Sequence, residues 1–152
     1  MIEFTIQVDI RRPPREVFEF LVDFENIPKW NYYVIDVKKR SGGPVGLGTV
    51  FHQIRKTDEQ DYEITDLVPG RSVQVTTTPG SSPVFTMRYE LEPTAIGTRL
   101  NDSWQLQTGY HPLLERMGAR RIRAAVSENL GKLKELLETG TAHLQDGRVT
   151  KP

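Results

Sequence analysis

The first ten residues alternate between apolar and polar side chains. Every even position from Ile2 to Ile10 is apolar, and every odd position between them is polar. A period of two is typical of a β-strand that buries one face. The chain is therefore predicted to begin with a half-buried strand, which Pro13 and Pro14 end.

Two short helices are predicted between this strand and Trp30. Pro14 suits the first turn of a helix, and Glu16 lies near the positive end of the helix dipole. A second short helix is expected to follow, with Asn26 as its cap and Pro28 near its first position.

Residues 34–108 carry no helical stripe and divide into strand-length segments. Pro69-Gly70 and Pro79-Gly80 mark two of the turns between them. The links are too short for the crossover that a parallel pair needs, so the strands must pair antiparallel. The predicted strands are 34–40, 49–57, 60–68, 72–78, 84–92 and 98–107.

A long amphipathic helix is predicted from Pro112 to Glu138. Apolar residues recur from Leu114 and Met117 onward, and they include Ile122. This spacing is typical of a helix with one buried face. Residues 140–152 show no pattern and are expected to form a flexible tail.

The order of elements predicts a single α+β domain over residues 1–139. A curved antiparallel sheet of about seven strands must cover its apolar face, and the long C-terminal helix is the only element large enough to do so. The predicted sheet is therefore wrapped around that helix, with the two short helices following the first strand.

Composition narrows the classes of function. Twenty Lys and Arg residues balance twenty Asp and Glu residues, which argues against a nucleic-acid partner. The absence of cysteine excludes disulfides and thiolate metal sites, and it fits a cytoplasmic location. No signal peptide is expected, and no apolar run approaches the ~20 residues needed for stable membrane insertion.

Several local motifs, in this order and spacing, resemble the START-like or SRPBCC superfamily, which has the helix-grip fold. The resemblance is strongest to its bacterial polyketide cyclase/dehydrase-like group and extends from Ile2 to about Glu138. The motifs are VDIRRPPREVFEFLVDFENIPKW (8–30), GLGT (46–49), ITDLVPGRSV (64–73), YELEPTAIGTRL (89–100) and NLGKLKELLE (129–138).

The resemblance implies a cavity between the concave face of the sheet and the C-terminal helix. It does not imply a reaction, because the superfamily spans enzymes, carriers and binding modules, and a fold alone does not establish function.

Two polar residues are predicted on otherwise apolar faces. Asp102 shares the parity of Leu100, Trp104 and Leu106 in the last strand, and Asn129 lies near the centre of the helical stripe. Buried polar groups need partners, water or a functional reason. Both are candidates for a polar contact with a ligand, and local structural hydrogen bonding is the alternative.

Aromatic and apolar residues are predicted to form the cavity wall. Aromatic side chains with a polar tip supply apolar area together with a hydrogen-bonding group. Simple core packing is the alternative for all of them. These candidates are Trp30, Tyr33, Phe85, Met87, Tyr89, Trp104 and Ile122.

Histidine and arginine complete the candidates. His52 shares the parity of Val50 and Ile54, so it is a candidate for the inner face, and a solvent-exposed or structurally hydrogen-bonded histidine is the alternative. Arg121 lies on the flank of the helical stripe and could pair with an anionic ligand or with Asp102. The histidines lack metal-binding spacing, and the glycines at 42–48 lack a P-loop ending, so no metal or cofactor is predicted.

Three functions follow as hypotheses. The first is a carrier or sensor for a hydrophobic or aromatic small molecule. The second is a cyclase/dehydratase-type enzyme, with Asp102, His52, Tyr89 or Arg121 moving protons. The third is an interaction module, which leaves a homodimer open.

Overall fold

Seven strands form one antiparallel sheet in the computed structural model, which describes residues 1–152. Along the sheet the order is β1-β7-β6-β5-β4-β3-β2. The predicted helix-grip arrangement is confirmed. The strands are β1 Ile2–Ile10, β2 Val34–Lys39, β3 Val50–Arg55, β4 Glu59–Val68, β5 Ser72–Thr77, β6 Val84–Thr94 and β7 Gly97–Gln107.

The two short helices lie between β1 and β2. Helix α1 spans Pro14–Val22, and a 3-10 helix spans Phe24–Lys29. The predicted cap of the second helix is wrong: the side chain of Asp23 accepts a hydrogen bond from the backbone N–H of Glu25 at 3.2 Å and begins that helix. Asn26 lies inside the helix, where its amide donates to the Phe20 carbonyl.

The long helix α2 spans Pro112–Thr139 and ends at Gly140, which has a left-handed backbone with φ of 83°. Its second half buries Leu130, Leu133 and Leu136. In its first half, by contrast, Leu114 and Met117 are exposed. At ~100° per residue both lie well away from Ile122 and Val126, so the predicted stripe does not include them.

Residues 140–152 were expected to form a flexible tail, and this expectation is wrong. Two-residue strands, β8 Ala142–His143 and β9 Val149–Thr150, pair as a hairpin. Ala142 and Leu144 are buried, and the Thr150 hydroxyl donates to the Lys29 carbonyl at 2.6 Å. Strands this short carry too few residues to reveal a period in the sequence.

Gly97 begins β7 at a point where three segments of backbone meet. Its φ is 155°, and a Cβ placed there would overlap the carbonyl oxygen of Ile10 and lie 2.8 Å from the backbone nitrogen of Arg12. Such contacts are closer than van der Waals separation allows. Glycine is therefore needed for β7 to pair closely with the end of β1.

We expect Gly97→Ala to lower the free energy of unfolding by at least ~2 kcal/mol, because the backbone of β1 must move to admit the methyl group. Urea unfolding followed by circular dichroism measures this loss. Gly42→Ala is the matched control, since a Cβ at Gly42 meets no atom within 4 Å. An equal effect of the two substitutions would contradict the prediction.

No helix of the structure is both long enough and apolar enough to span a membrane.

Candidate functional site

A cavity of about 780 Å³ lies between the inner face of the sheet and the middle of α2, residues 121–129. Small-molecule sites typically enclose about 300–1,000 Å³ and are lined mainly by apolar side chains. Here 17 of the 29 lining residues are hydrophobic, so the cavity suits a ligand whose surface is largely apolar.

Ten of the eleven residues that the sequence singled out line this cavity. They come from the end of the 3-10 helix, from strands β6 and β7, and from α2. These residues are Trp30, Tyr33, Phe85, Met87, Tyr89, Asp102, Trp104, Arg121, Ile122 and Asn129.

His52 is the exception, and its predicted inward orientation is wrong. Its neighbours Phe51 and Gln53 face the core and the cavity, so His52 points to the opposite face of β3. There its ring nitrogens lie 2.6 Å from Asp61 Oδ1 and 3.1 Å from Glu59 Oε2. Because β3 carries apolar residues at both parities, its alternation does not identify the inner face.

A cluster of aromatic rings forms the wall of the cavity beside the 3-10 helix. The ring centroid of Phe24 lies 5.2 Å from that of Phe51, 5.7 Å from that of Tyr62 and 6.2 Å from that of Tyr89. Sequence reasoning missed Phe24 and Tyr62 as lining residues. The signal was available in Tyr62, which shares the parity of the buried Ile64 in β4.

Cross-strand register brings the polar candidates together. Tyr89 of β6 lies directly opposite Asp102 of β7, and Met87 lies opposite Trp104. Asp102 is in turn opposite Ile6 of β1. Two adjacent rows of inward side chains thus place a carboxyl group, a phenol and an indole within one part of an apolar wall.

Asp102 is the most unusual group of the cavity. Its side chain is 2% exposed, and its Oδ1 atom has no hydrogen-bond partner. Burial raises the pKa of Asp102 to about 7, because the apolar surroundings disfavour the charged form. The nearby indole N–H of Trp104 acts in the opposite direction and lowers this pKa.

Trp104 has an unmatched polar atom of its own. The Nε1 atom of Trp104 is buried and has no hydrogen-bond partner. The indole N–H lies near Asp102, but the two groups do not form a hydrogen bond of acceptable geometry. An unpaired acceptor and an unpaired donor therefore sit two residues apart on the inner face of β7. Such groups are rare in folded proteins, and each is expected to have a reason.

Two buried tyrosines remain in their protonated form. Burial raises the pKa of Tyr89 well above its ordinary value, with further contributions from the charge of Asp102 and from Tyr62. Burial also raises the pKa of Tyr62, whose hydroxyl donates to Gln53 Oε1 at 3.3 Å. The Tyr62 proton is already donated to Gln53, whereas the Tyr89 hydroxyl is available as a hydrogen-bond donor near neutral pH.

Asn129 and Arg121 differ in how far they enter the site. Asn129 is buried, and its Oδ1 accepts a hydrogen bond from Gln145 of the C-terminal hairpin at 3.4 Å. Arg121 is exposed at the edge of the cavity and forms no ion pair with Asp102. The second arginine of the lining, Arg55, lies 3.4 Å from Asp58 and neutralises it at the edge.

The charged residues of the lining thus fall into two groups: Arg55, Asp58, Arg121 and Glu128 are exposed or half-buried and include both signs, whereas Asp102 is buried and has no cationic partner. No group of three or more His, Cys, Asp or Glu side chains is arranged to hold a metal ion.

A family model described as "Polyketide cyclase / dehydrase and lipid transport" matches residues 1–138. The C-terminal hairpin lies outside the matched range. No curated protein matches the chain.

Solved structures at low sequence identity share the fold. TTHA0849 from Thermus thermophilus is 15% identical with a TM-score of 0.73, over 88% of this chain and 94% of that one. The di-domain ARO/CYC StfQ of the steffimycin biosynthetic pathway is 15% identical with a TM-score of 0.72, over 90% of this chain and 50% of that one. The Aha1 dimer from Colwellia psychrerythraea is 19% identical with a TM-score of 0.67, over 92% of this chain and 98% of that one.

Proposed function

This chain belongs to the polyketide cyclase/dehydrase and lipid transport family, and we propose that it binds a hydrophobic or aromatic small molecule, as a carrier or sensor, in the cavity between its sheet and α2. The observation that carries this proposal is the cavity of about 780 Å³ with its largely apolar lining. Burying apolar ligand surface there contributes roughly 25 cal/mol per Å² before the costs of binding.

The opening of the cavity supports reversible exchange of such a ligand. Tyr33 and Arg121 at its edge are exposed, whereas the aromatic cluster at its inner end is closed to solvent. A ligand can enter between the first half of α2 and the loops that precede β4 and β6.

Both tryptophans of the chain, Trp30 and Trp104, line the cavity. We therefore expect saturable quenching of tryptophan emission when an apolar probe binds. A suitable panel contains 1-methylpyrene, oleic acid, a flavonoid and an aromatic polyketide.

A substitution that fills the cavity tests the location of the bound probe. Ala125 is half-buried and lines the cavity, and we expect Ala125→Phe to weaken binding at least tenfold by occupying the space. Ser127→Phe is the matched control, because Ser127 is exposed on the same helix outside the lining. Absence of saturable quenching across the panel, or an equal loss in both variants, would refute the proposal.

A second candidate function is acid–base chemistry on the bound molecule. It is favoured by one observation, the buried Asp102 whose pKa is raised to about 7 by burial and which lies opposite Tyr89. In this scheme the Asp102 carboxylate takes an α-proton from a ketone, and the Tyr89 hydroxyl donates a hydrogen bond to the resulting enolate oxygen. His52 has no part in it, since it lies on the other face.

Deuterium exchange separates catalysis from simple binding. The methyl protons of 1-acetylpyrene should exchange faster in D₂O with the wild type than with Asp102→Asn if this chemistry occurs. Equal exchange with the two proteins would leave binding as the function.

Two further expectations from the sequence stand as proposals. A cytoplasmic location follows from the absence of cysteine, and a homodimer is left open. One of the similar structures is described as a dimer. The mass in solution, measured by light scattering, decides the oligomeric state.

A further inference from the structure

We propose that the buried end of the cavity recognises a hydroxyl group, so that the ligand is an alcohol or phenol carried on an apolar skeleton. This inference rests on the proposed binding function and names the class of ligand. It is carried by two groups on β7, the Oδ1 atom of Asp102 and the indole N–H of Trp104, which form no hydrogen bond of acceptable geometry within the protein, although the indole lies close enough to Asp102 to lower its pKa.

The position of the two groups makes them a built site. Both belong to the cavity lining, and they occupy successive inward positions of one strand. Of the four opposing residues, Ile6, Phe4 and Met87 are apolar, and the fourth, Tyr89 opposite Asp102, forms no hydrogen bond with the Asp102 Oδ1 atom. The acceptor and the donor therefore lie in a largely apolar wall and both remain unpaired.

Burying these two groups without hydrogen-bond partners lowers the free energy of unfolding, and a ligand that supplies the partners can regain this free energy on binding. A buried polar group without a partner costs about 1–3 kcal/mol. A hydroxyl is the smallest group that offers both a donor and an acceptor. It can donate to the Asp102 carboxylate and accept from the Trp104 N–H at the same time.

Other polar groups satisfy this pair less well. An ammonium group donates to the carboxylate but leaves the indole N–H unmatched, because it has no acceptor. A ketone or an ether accepts from the indole N–H, but its oxygen faces the ionised carboxylate without a proton between them. Above pH 7 the Asp102 carboxyl is largely ionised, so the preference for a hydroxyl should be clearest there.

A set of four pyrene derivatives tests the inference at pH 8. The probes are 1-pyrenemethanol, 1-(methoxymethyl)pyrene, 1-pyrenemethylamine and 1-methylpyrene, and emission anisotropy of pyrene gives each Kd. For the wild type we expect the alcohol to bind roughly tenfold more tightly than each of the other three, as the loss of a buried hydrogen bond implies.

Two variants assign the two bonds separately. Asp102→Leu should remove the preference for the alcohol over the ether, because it removes the acceptor. Trp104→Phe should weaken the alcohol and the ether to a similar extent, since both use the donor that is lost. Ser103→Ala is the control and should leave all ratios unchanged, because Ser103 lies between the two residues on the opposite face of β7, outside the cavity lining, where its hydroxyl pairs with that of Thr5.

The outcomes separate this inference from the proposed function. Binding of 1-methylpyrene by Asp102→Leu shows that this variant folds, and if it does not fold the Trp104→Phe result still decides. Equal binding of the four probes by the wild type, or a preference for the amine or the ether, would overturn hydroxyl recognition and leave the binding function intact. Failure of the wild type to bind any probe would overturn both.

Discussion

Relative to an Asp102→Asn variant, the wild-type protein is expected to lose up to roughly 4 kcal/mol of stability between pH 4 and pH 7. Burial raises the pKa of Asp102 to about 7 in the folded protein, from 3.8 for the ordinary group. Each unit of difference is worth about 1.36 kcal/mol, and the difference is about three units.

The sign follows from where the proton is held. Between these two pKa values the folded protein keeps the proton of Asp102, whereas the unfolded chain has released it. Unfolding therefore releases a proton, and rising pH favours the unfolded chain. The loss begins near pH 4, is complete just above pH 7, and is absent from the variant because asparagine does not titrate.

Urea unfolding of the two proteins at intervals from pH 4 to pH 8 measures this difference. Other carboxyl groups, such as Asp9 beside Arg99 and Asp66 beside Arg88, have lowered pKa values. Their contribution is common to both proteins and cancels. Glu3→Gln is the matched control, since Glu3 is exposed on β1. A difference between the wild type and Asp102→Asn that stayed constant with pH would show that Asp102 does not titrate abnormally.

The expected loss of wild-type stability with rising pH has a functional meaning. A residue that weakens the fold at neutral pH and makes no internal hydrogen bond is difficult to explain as a structural element. Groups of this kind concentrate at functional sites, where residues needed for binding or catalysis often lower the stability of the fold. The two experiments on Asp102 are therefore complementary, because one measures its cost to folding and the other its contribution to binding.

Phe24→Ala is expected to lower the free energy of unfolding by about 3–5 kcal/mol, as is typical when a large aromatic side chain is removed from a core. Phe24 is fully buried, and its ring contacts the rings of Phe51, Tyr62 and Tyr89. It is the first residue of the 3-10 helix and holds that helix against three strands. Its removal detaches the helix from the sheet as well as leaving a void.

Phe24→Leu is the matched control and should cost less, because leucine keeps much of the apolar volume. Chemical denaturation of the three proteins provides the comparison. Since Phe24 also lines the cavity, the alanine variant enlarges it. A loss below ~1.5 kcal/mol for Phe24→Ala would show that the aromatic cluster closes over the missing ring.

Local periodicity predicted the parts of the fold where one face is clearly apolar. The alternation in β7 placed Asp102 and Trp104 on the inner face, and the structure has them there. The same reasoning could not orient His52, because β3 presents apolar residues on both faces. Alternation identifies a face only where the two faces differ.

Other features depend on tertiary contacts that no local pattern contains. The stripe of α2 identifies its apolar face, but it does not show that Ile122 borders a cavity while Leu133 is buried in the core. The cap of the 3-10 helix shows the same limit: Asp23 and Asn26 are both good cap residues, and the packing of Phe24 selects the first. Whether Asp102 and Trp104 find hydrogen-bond partners depends on residues distant in the sequence, so no local pattern could show that they lack them.

Helix α2 has two roles along its length. Leu130, Leu133 and Leu136 fix its C-terminal part in the core, while the preceding segment, residues 121–128, borders the cavity with side chains that are exposed or half-buried. Mutations in that segment therefore alter the shape and polarity of the cavity at little expense to folding. Natural selection, or a laboratory library confined to residues 121–128, can explore new ligands along one continuous stretch of chain while the rest of the protein remains unchanged.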